Sequence, residues 1–327
     1  LYKGFGFPKP FFVNYNQIIG APLQLFIFMN NNHLKYVYLV LLSLIWGSSF
    51  ILIKKALGDE NGVLVLQPLQ LGALRTMISG LILISIGWKS FAATKKSDWP
   101  WLALSGLLGS FFPAFLFAYA QTEIDSAISA ILNSTVPLIT LLLGAVIFGI
   151  SFSRNQLIGV VIGLAGAIGL VIAGMKSHPE HNYLFAGLIL IACSCYASNV
   201  NIIKRYLQNI KPLAITTGNY IFIAPLATIV FFSADGAALA FDQPAVQKSF
   251  MYVIILCIFG TVIAKIIFNK LVQMTSPVFA SSVTYLMPVV GLTWGVLDGE
   301  TFNLWQVLAT GVIILAVILV TRQKKIA

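Results

Sequence analysis

Charge is what this sequence has least of. Asp, Glu, Lys and Arg make up 9% of its 327 residues while 58% are apolar, against about 25% charged in a soluble domain. So little charge cannot cover a water-facing surface, so the chain is read as lipid-facing. Acids are the scarcer sign, ten against twenty Lys and Arg. All ten, from Asp59 to Glu300, fall in loops or at the edges of apolar runs, so no carboxylate stands mid-membrane to relay protons. The three histidines, His33, His178 and His181, also lie in loops. Intramembrane enzymes need clustered acids, histidines or a metal for their chemistry, and the His178, Glu180 and His181 group reads as solvated, so an enzyme is not expected. Gly169–Ser177 lacks the Gly-Lys-Ser/Thr triplet of a phosphate-binding loop. Cys193, Cys195 and Cys257 all sit inside apolar runs, where free thiols are packing residues. No disulfide, metal or cofactor is expected. The formal charge of +10 comes without a basic stripe or recognition helix, so no nucleic-acid partner is expected.

What the chain has in quantity is apolar runs of about 20 residues, long enough to cross a bilayer core. They do not alternate, which excludes a strand-built barrel. They place ten spans, at roughly 35–54, 68–88, 100–120, 124–148, 155–174, 183–203, 213–233, 249–269, 278–297 and 304–321. Residues 1–33 differ, with Gly, Pro, Asn and aromatics in no period and an apolar stretch, Pro22–Met29, too short to span. Two readings stand for this segment: an extension upstream of a physiological start at Met29, or a disordered cytoplasmic tail.

The basic residues orient the spans. With the N-terminus inside, 14 of the 20 Lys and Arg fall on the cytoplasmic side and four, Lys54, Lys55, Lys176 and Lys248, outside. Basic residues concentrate in cytoplasmic loops, so both termini are expected in the cytoplasm, in a multi-pass protein of the cell membrane, the cytoplasmic membrane in a bacterium. Only Arg75 and Lys265 fall within spans.

The chain also repeats itself. Trp46-Gly-Ser48-Ser49 followed by Lys54-Lys55 recurs 150 residues later as Tyr196-Ala-Ser198-Asn199 followed by Lys204-Arg205. Pro137 and Gly144 recur as Pro288 and Gly295, Gln156 as Gln306, and Pro68 with Arg75 as Pro212 with Asn219. A unit of five spans is odd, so two copies in series must face opposite ways. The expected fold is an all-α integral membrane protein of ten transmembrane helices in two inverted five-helix repeats, 35–174 and 183–321. Inverted repeats build carriers that rock about a central site.

These residues resemble the EamA-type branch of the drug/metabolite transporter superfamily. Leu44-Ile-Trp46-Gly47-Ser48-Ser49-Phe50-Ile51 is similar to its opening signature, as are Pro68…Arg75 and Pro288…Gly295…Asp298-Gly299-Glu300…Gln306. The first copy departs at Phe148-Gly149-Ile150, where Ile stands in place of the usual Glu. The resemblance covers about 36–321 and implies a permease moving small metabolites, often amino acids or related compounds, outward. With no acid at depth, the expected mode is facilitated diffusion, exchange, or weak coupling through Glu300 or Asp298. The rival readings are a non-transporting receptor or assembly partner, which would tend to carry a soluble domain, and a lipid-modifying enzyme.

Intramembrane charge is costly and marks function by default. Lys265 is expected either to hold a substrate carboxylate or to donate to carbonyls in the bundle. Arg75 is expected at a substrate, or snorkelling, or paired with Glu123 or Asp125. With no acid at depth, the two bases favour substrates with an anionic group. Trp46, Ser48 and Ser49 in span one and Tyr196 and Asn199 in span six are symmetry-related polar groups near mid-span. They are expected to line a cavity or to glue helices together. Asn133 and Tyr285 flank Pro137 and Pro288, which leave a carbonyl free or bend the helix. The Gly159, Gly163 and Gly166 face suits close helix packing, within the chain or at a homodimer face. The expected partners are a small-molecule substrate and the lipid bilayer, for a monomer or homodimer.

Overall fold

The computed structural model describes residues 31–58, 63–149, 154–177 and 182–321. Outside them lie the proposed start at Met29, the His178, Glu180 and His181 group, Ile150, and the basic residues Arg322, Lys324 and Lys325. Two compact units are distinguished, ending and beginning at Val37 and Tyr38. Among the described residues the first contributes only the opening turns of one helix, and the helix packing and the cavity belong to the second.

Ten helical rods succeed one another: α1 Asn31–Leu57, α2 Pro68–Ala92, α3 Lys96–Ala120, α4 Ser126–Ile147, α5 Arg154–Ser177, α6 Tyr183–Tyr206, α7 Pro212–Ser233, α8 Pro244–Met274, α9 Pro277–Leu297 and α10 Leu304–Thr321. Eight are long and apolar enough to cross a membrane; α5 and α10 contribute shorter apolar stretches, 157–173 and 304–316. The starts follow local chemistry. Proline opens α2, α7, α8 and α9, where its missing N–H costs nothing and its fixed φ is preorganised. Gly149 and Gly299 end α4 and α9 with φ of 66° and 86°, left-handed backbone that closes a helix and favours glycine.

Several boundaries differ from expectation. α8 runs from Pro244 to Met274 rather than 249–269, because polar residues such as Gln247 and Lys248 continue its helix beyond the apolar core. α4 and α9 are each interrupted. α4 breaks at Ser134–Thr135, and α9 tightens to a 3-10 turn at Ser282–Tyr285. Ser134 and Thr135 hydroxyls donate to the carbonyls of Ile131 and Leu132, at 2.6 and 2.8 Å, and Ser282 and Thr284 do likewise to Phe279 and Ser281. Such back-bonding offers the backbone an alternative to the helix. Pro137 and Pro288 therefore begin the second helical segment of each rod rather than bending a continuous one.

α2 lies along α7 and α5 along α10. The close approaches run in opposite directions along each pair. In the first, Gln70 meets Ala234, Gly80 meets Ala224 and Gly87 meets Thr217. In the second, Gly163 meets Ala316 and Gly166 meets Ile313, so this small-residue face packs within the chain. In α4 and α9 the first segment of each packs on the second segment of the other. In these three pairs the helices, five apart in order, thus run antiparallel.

Candidate functional site

A cavity of about 740 Å³, counting its open part, lies among α1, α2, α3, α4, α6, α8 and α9. Its wall is built in pairs related by the 150 to 151 residue offset: Trp46 with Tyr196, Ser49 with Asn199, Phe50 with Val200, Phe117 with Phe268, Asn133 with Thr284, and Val136 with Met287.

Two π-helical turns shape it, Leu107–Phe111 in α3 and Leu256–Ile263 in α8. A π turn widens the helix and disturbs its hydrogen-bond ladder, and such turns recur at functional sites. Each holds a glycine in the equivalent place, Gly109 and Gly260, and each glycine carbonyl takes a side-chain donor from across the bundle. The Trp46 indole N–H donates to Gly260 O at 2.9 Å, and the Lys265 ammonium donates to Gly109 O. The flanking packing repeats as well. The Asn199 amide lies against Gly109 as the Ser49 hydroxyl lies against Gly260. Trp46 meets Phe268 edge-on with ring centroids 5.0 Å apart, and Tyr196 stacks on Phe117 at 6.0 Å.

The charges break this symmetry. The Arg75 Nε donates to the Thr261 hydroxyl at 3.2 Å, four residues before Lys265 on α8. The Lys265 ammonium sits 5.7 Å from the centroid of the Tyr196 ring. The offset partner of Lys265 is Ala114, and the counterpart of Arg75, Asn219, is buried outside the wall beside Ser105. Among the described residues neither Arg75 nor Lys265 makes an ion pair, and no carboxylate lines the cavity. Glu123 instead accepts from the Asn182 N–H. Among the described residues the side chain of buried Asn133 has only sulfur partners, Met287 Sδ at 3.5 Å and Cys193 Sγ at 3.7 Å, and sulfur is a weak donor and acceptor.

Of the nine residues singled out in the sequence, Trp46, Ser49, Arg75, Asn133, Tyr196, Asn199 and Lys265 line the cavity. Ser48 faces away and accepts from the Trp294 indole at 2.9 Å. Tyr285 packs on Leu138 and Leu141. Sequence reasoning passed over Gly109, Gly260, Phe117 and Phe268, although each pair stands at the repeat offset. Among the described residues no group of three His, Cys, Asp or Glu is placed to hold a metal.

The two ends of the bundle are tied differently. At one, the Lys54 ammonium lies 2.8 Å from Glu300 and 3.0 Å from Asp298, and Lys55 pairs with Asp298. Glu300 also accepts from Ser126 N and Oγ and from Ala127 N, at 3.1, 2.7 and 3.2 Å. The carboxylate thus caps the start of α4, where unpaired N–H groups favour an anion. Burial alone would push the Asp298 carboxyl up, but hydrogen bonds and charge from Lys55 and Lys54 hold it below the usual carboxylate range. At the other end Lys204, the offset partner of Lys54, donates to Thr275 O at 2.7 Å and Gln273 O at 3.5 Å, satisfying the last carbonyls of α8 without an acid.

A largely apolar cavity holding Arg75 and Lys265, inside an apolar ten-helix bundle whose halves repeat, suits a membrane transporter. The profile of the EamA-like transporter family matches residues 33–172 and again 184–322, and the chain belongs to that family, which comprises transporters rather than enzymes. It is similar to the uncharacterized inner membrane transporter YedA of Escherichia coli K12, 30% identical over 297 residues covering 86% of this chain and 89% of the relative. It is also similar to a probable amino-acid metabolite efflux pump of Salmonella typhimurium, 24% identical over 289 residues covering 85% and 91%. A solved crystal structure shares the fold with a TM-score of 0.62 at 18% identity, covering 88% of this chain and 96% of that one.

Proposed function

We propose that the chain exports a small organic metabolite bearing an anionic group, by exposing the cavity alternately to the two sides of the cytoplasmic membrane. In this reading 35–174 and 183–321 are two five-helix repeats inverted relative to one another, residues 1–33 lie outside both, and both termini are cytoplasmic. The ion pairs of Lys54 and Lys55 with Asp298 and Glu300 then close the outer end and Lys204 the inner. The observation that carries the reading is the paired wall: a cavity whose opposite faces come from equivalent positions of the two halves can be gripped from either side. The antiparallel packing of α2 with α7, α4 with α9 and α5 with α10 supports the inversion. The names of the relatives, an inner membrane transporter and an amino-acid metabolite efflux pump, support the location, the direction and the substrate size.

The test is counterflow in proteoliposomes holding the purified chain. Liposomes preloaded with a panel of unlabelled organic acids and amino acids should accumulate the matching labelled tracer transiently, and only when protein is present. Trp46→Ala should abolish the overshoot. An absence of protein-dependent exchange for every compound that measurably binds the protein would sink the proposal.

A further inference from the structure

We infer that the substrate is a net-anionic aromatic acid lacking an ammonium group, held with its carboxylate between Arg75 and Lys265 and its ring among Trp46, Phe117, Tyr196 and Phe268. The inference rests on the carrier reading and narrows it to a chemical class.

The two cations supply the first half. Arg75 spends one N–H on Thr261, leaving the remaining donors of its planar fork for a carboxylate. Thr261 lies one turn from Lys265 on α8, so the two positive groups serve one region of the wall. Cations this deep are tolerated when something neutralises them, and among the described residues no carboxylate lines the cavity. A ligand carboxylate meets the requirement.

The same set of groups disfavours a zwitterion. An ammonium is best neutralised by an acid, and among the described residues none lines the cavity. The two carbonyls opened by the π turns, Gly109 O and Gly260 O, each already accept one hydrogen bond, from Lys265 and Trp46. An ammonium beside Arg75 and Lys265 would instead meet like charge, which costs heavily away from water. The rings supply the second half. Phe50 lies edge-on to Phe117 with centroids 5.6 Å apart, and Trp46 lies edge-on to Phe268. Such an aromatic wall offers a planar body both stacked and edge contacts. Asn133, whose side-chain partners among the described residues are sulfurs, lines the cavity and can bond a ring hydroxyl.

The test uses three compounds that share one ring: 4-hydroxyphenylacetate, an anion; tyrosine, a zwitterion; and tyramine, a cation. Uptake into proteoliposomes and binding to the detergent-purified full chain are measured for each. The anion should be bound and moved at least about tenfold better than tyrosine, with tyramine inert. Arg75→Gln and Lys265→Met, each checked for monodisperse elution, should shrink that preference to about threefold or less. Tyrosine or tyramine handled as well as the anion would overturn the inference, as would an anion that neither binds nor moves, or a preference unchanged in both variants. Selective binding of the anion without transport of any compound would support the substrate class and defeat the carrier reading instead.

Discussion

A Cβ on Gly109 would fall on the side-chain amide of Asn199, and one on Gly260 would press the Ser49 hydroxyl. Both glycines sit in widened turns whose carbonyls are held from across the bundle, so the missing methyl is what lets α6 and α1 approach α3 and α8. Gly109→Ala should therefore cost about 1–3 kcal/mol through overpacking, seen as a lower unfolding temperature in detergent, with a raised KM because Asn199 must move within the cavity wall. Ala103→Gly, a change elsewhere on α3, should leave KM unaltered. A Gly109→Ala protein with unchanged stability and KM would contradict the close approach. At this scale the sequence was half legible. Arg75 and Lys265 stood out because charge is rare in apolar spans, and Trp46, Tyr196, Ser49 and Asn199 because they repeat. Phe117 and Phe268 repeat equally well, but among 24 phenylalanines an aromatic pair is background. The π turns leave no trace in composition or period, since they depend on which carbonyl an N–H meets.

Elements were easier to read than their interruptions. Apolar length placed all ten helices, while the ends moved wherever polar residues extended a rod past its apolar core, as in α8. The breaks in α4 and α9 came from Ser and Thr hydroxyls that compete for backbone carbonyls, with Pro137 and Pro288 restarting the helix. Glu300 acts between elements, since it joins the end of α1 through Lys54 to the start of α4. Glu300→Gln keeps the shape and removes the charge, and should lower stability by about 1–3 kcal/mol, read as a shift in thermal unfolding. Asp298 adds a pH dependence of defined sign. Its carboxyl is held low in the folded chain, so its contribution is complete above the ordinary carboxylate value, about 4. That contribution is lost only as pH falls through the lower folded value. The stability gap between wild type and Asp298→Asn should hold from pH 7 to 5 and shrink toward pH 3. A gap that closes near neutrality would assign the effect to another group.

The whole molecule is a near-symmetric frame carrying asymmetric charge. Its halves pair antiparallel along three sets of helices, yet Lys265 faces an Ala114 equivalent and Lys54 and Lys204 tie their ends by different chemistry. The duplication was visible in the sequence because short ordered patterns recur at nearly one spacing, Trp46 to Ser49 as Tyr196 to Asn199 and Pro137 with Gly144 as Pro288 with Gly295; the lopsided charge was visible too, as Arg75 opposite Asn219. What needed coordinates was that both cations address one cavity without a carboxylate beside it. That combination has an energetic consequence. A cell interior is electrically negative, and moving one negative charge outward down such a potential releases about 2.3 kcal/mol per 100 mV. A carrier that bound anions at these two cations would need no proton relay, because the membrane voltage itself would drive its cargo out. In proteoliposomes clamped with potassium and valinomycin, a lumen-negative potential should speed release of the anion, and a lumen-positive potential should slow it. Rates indifferent to voltage would mean that a compensating ion travels with it.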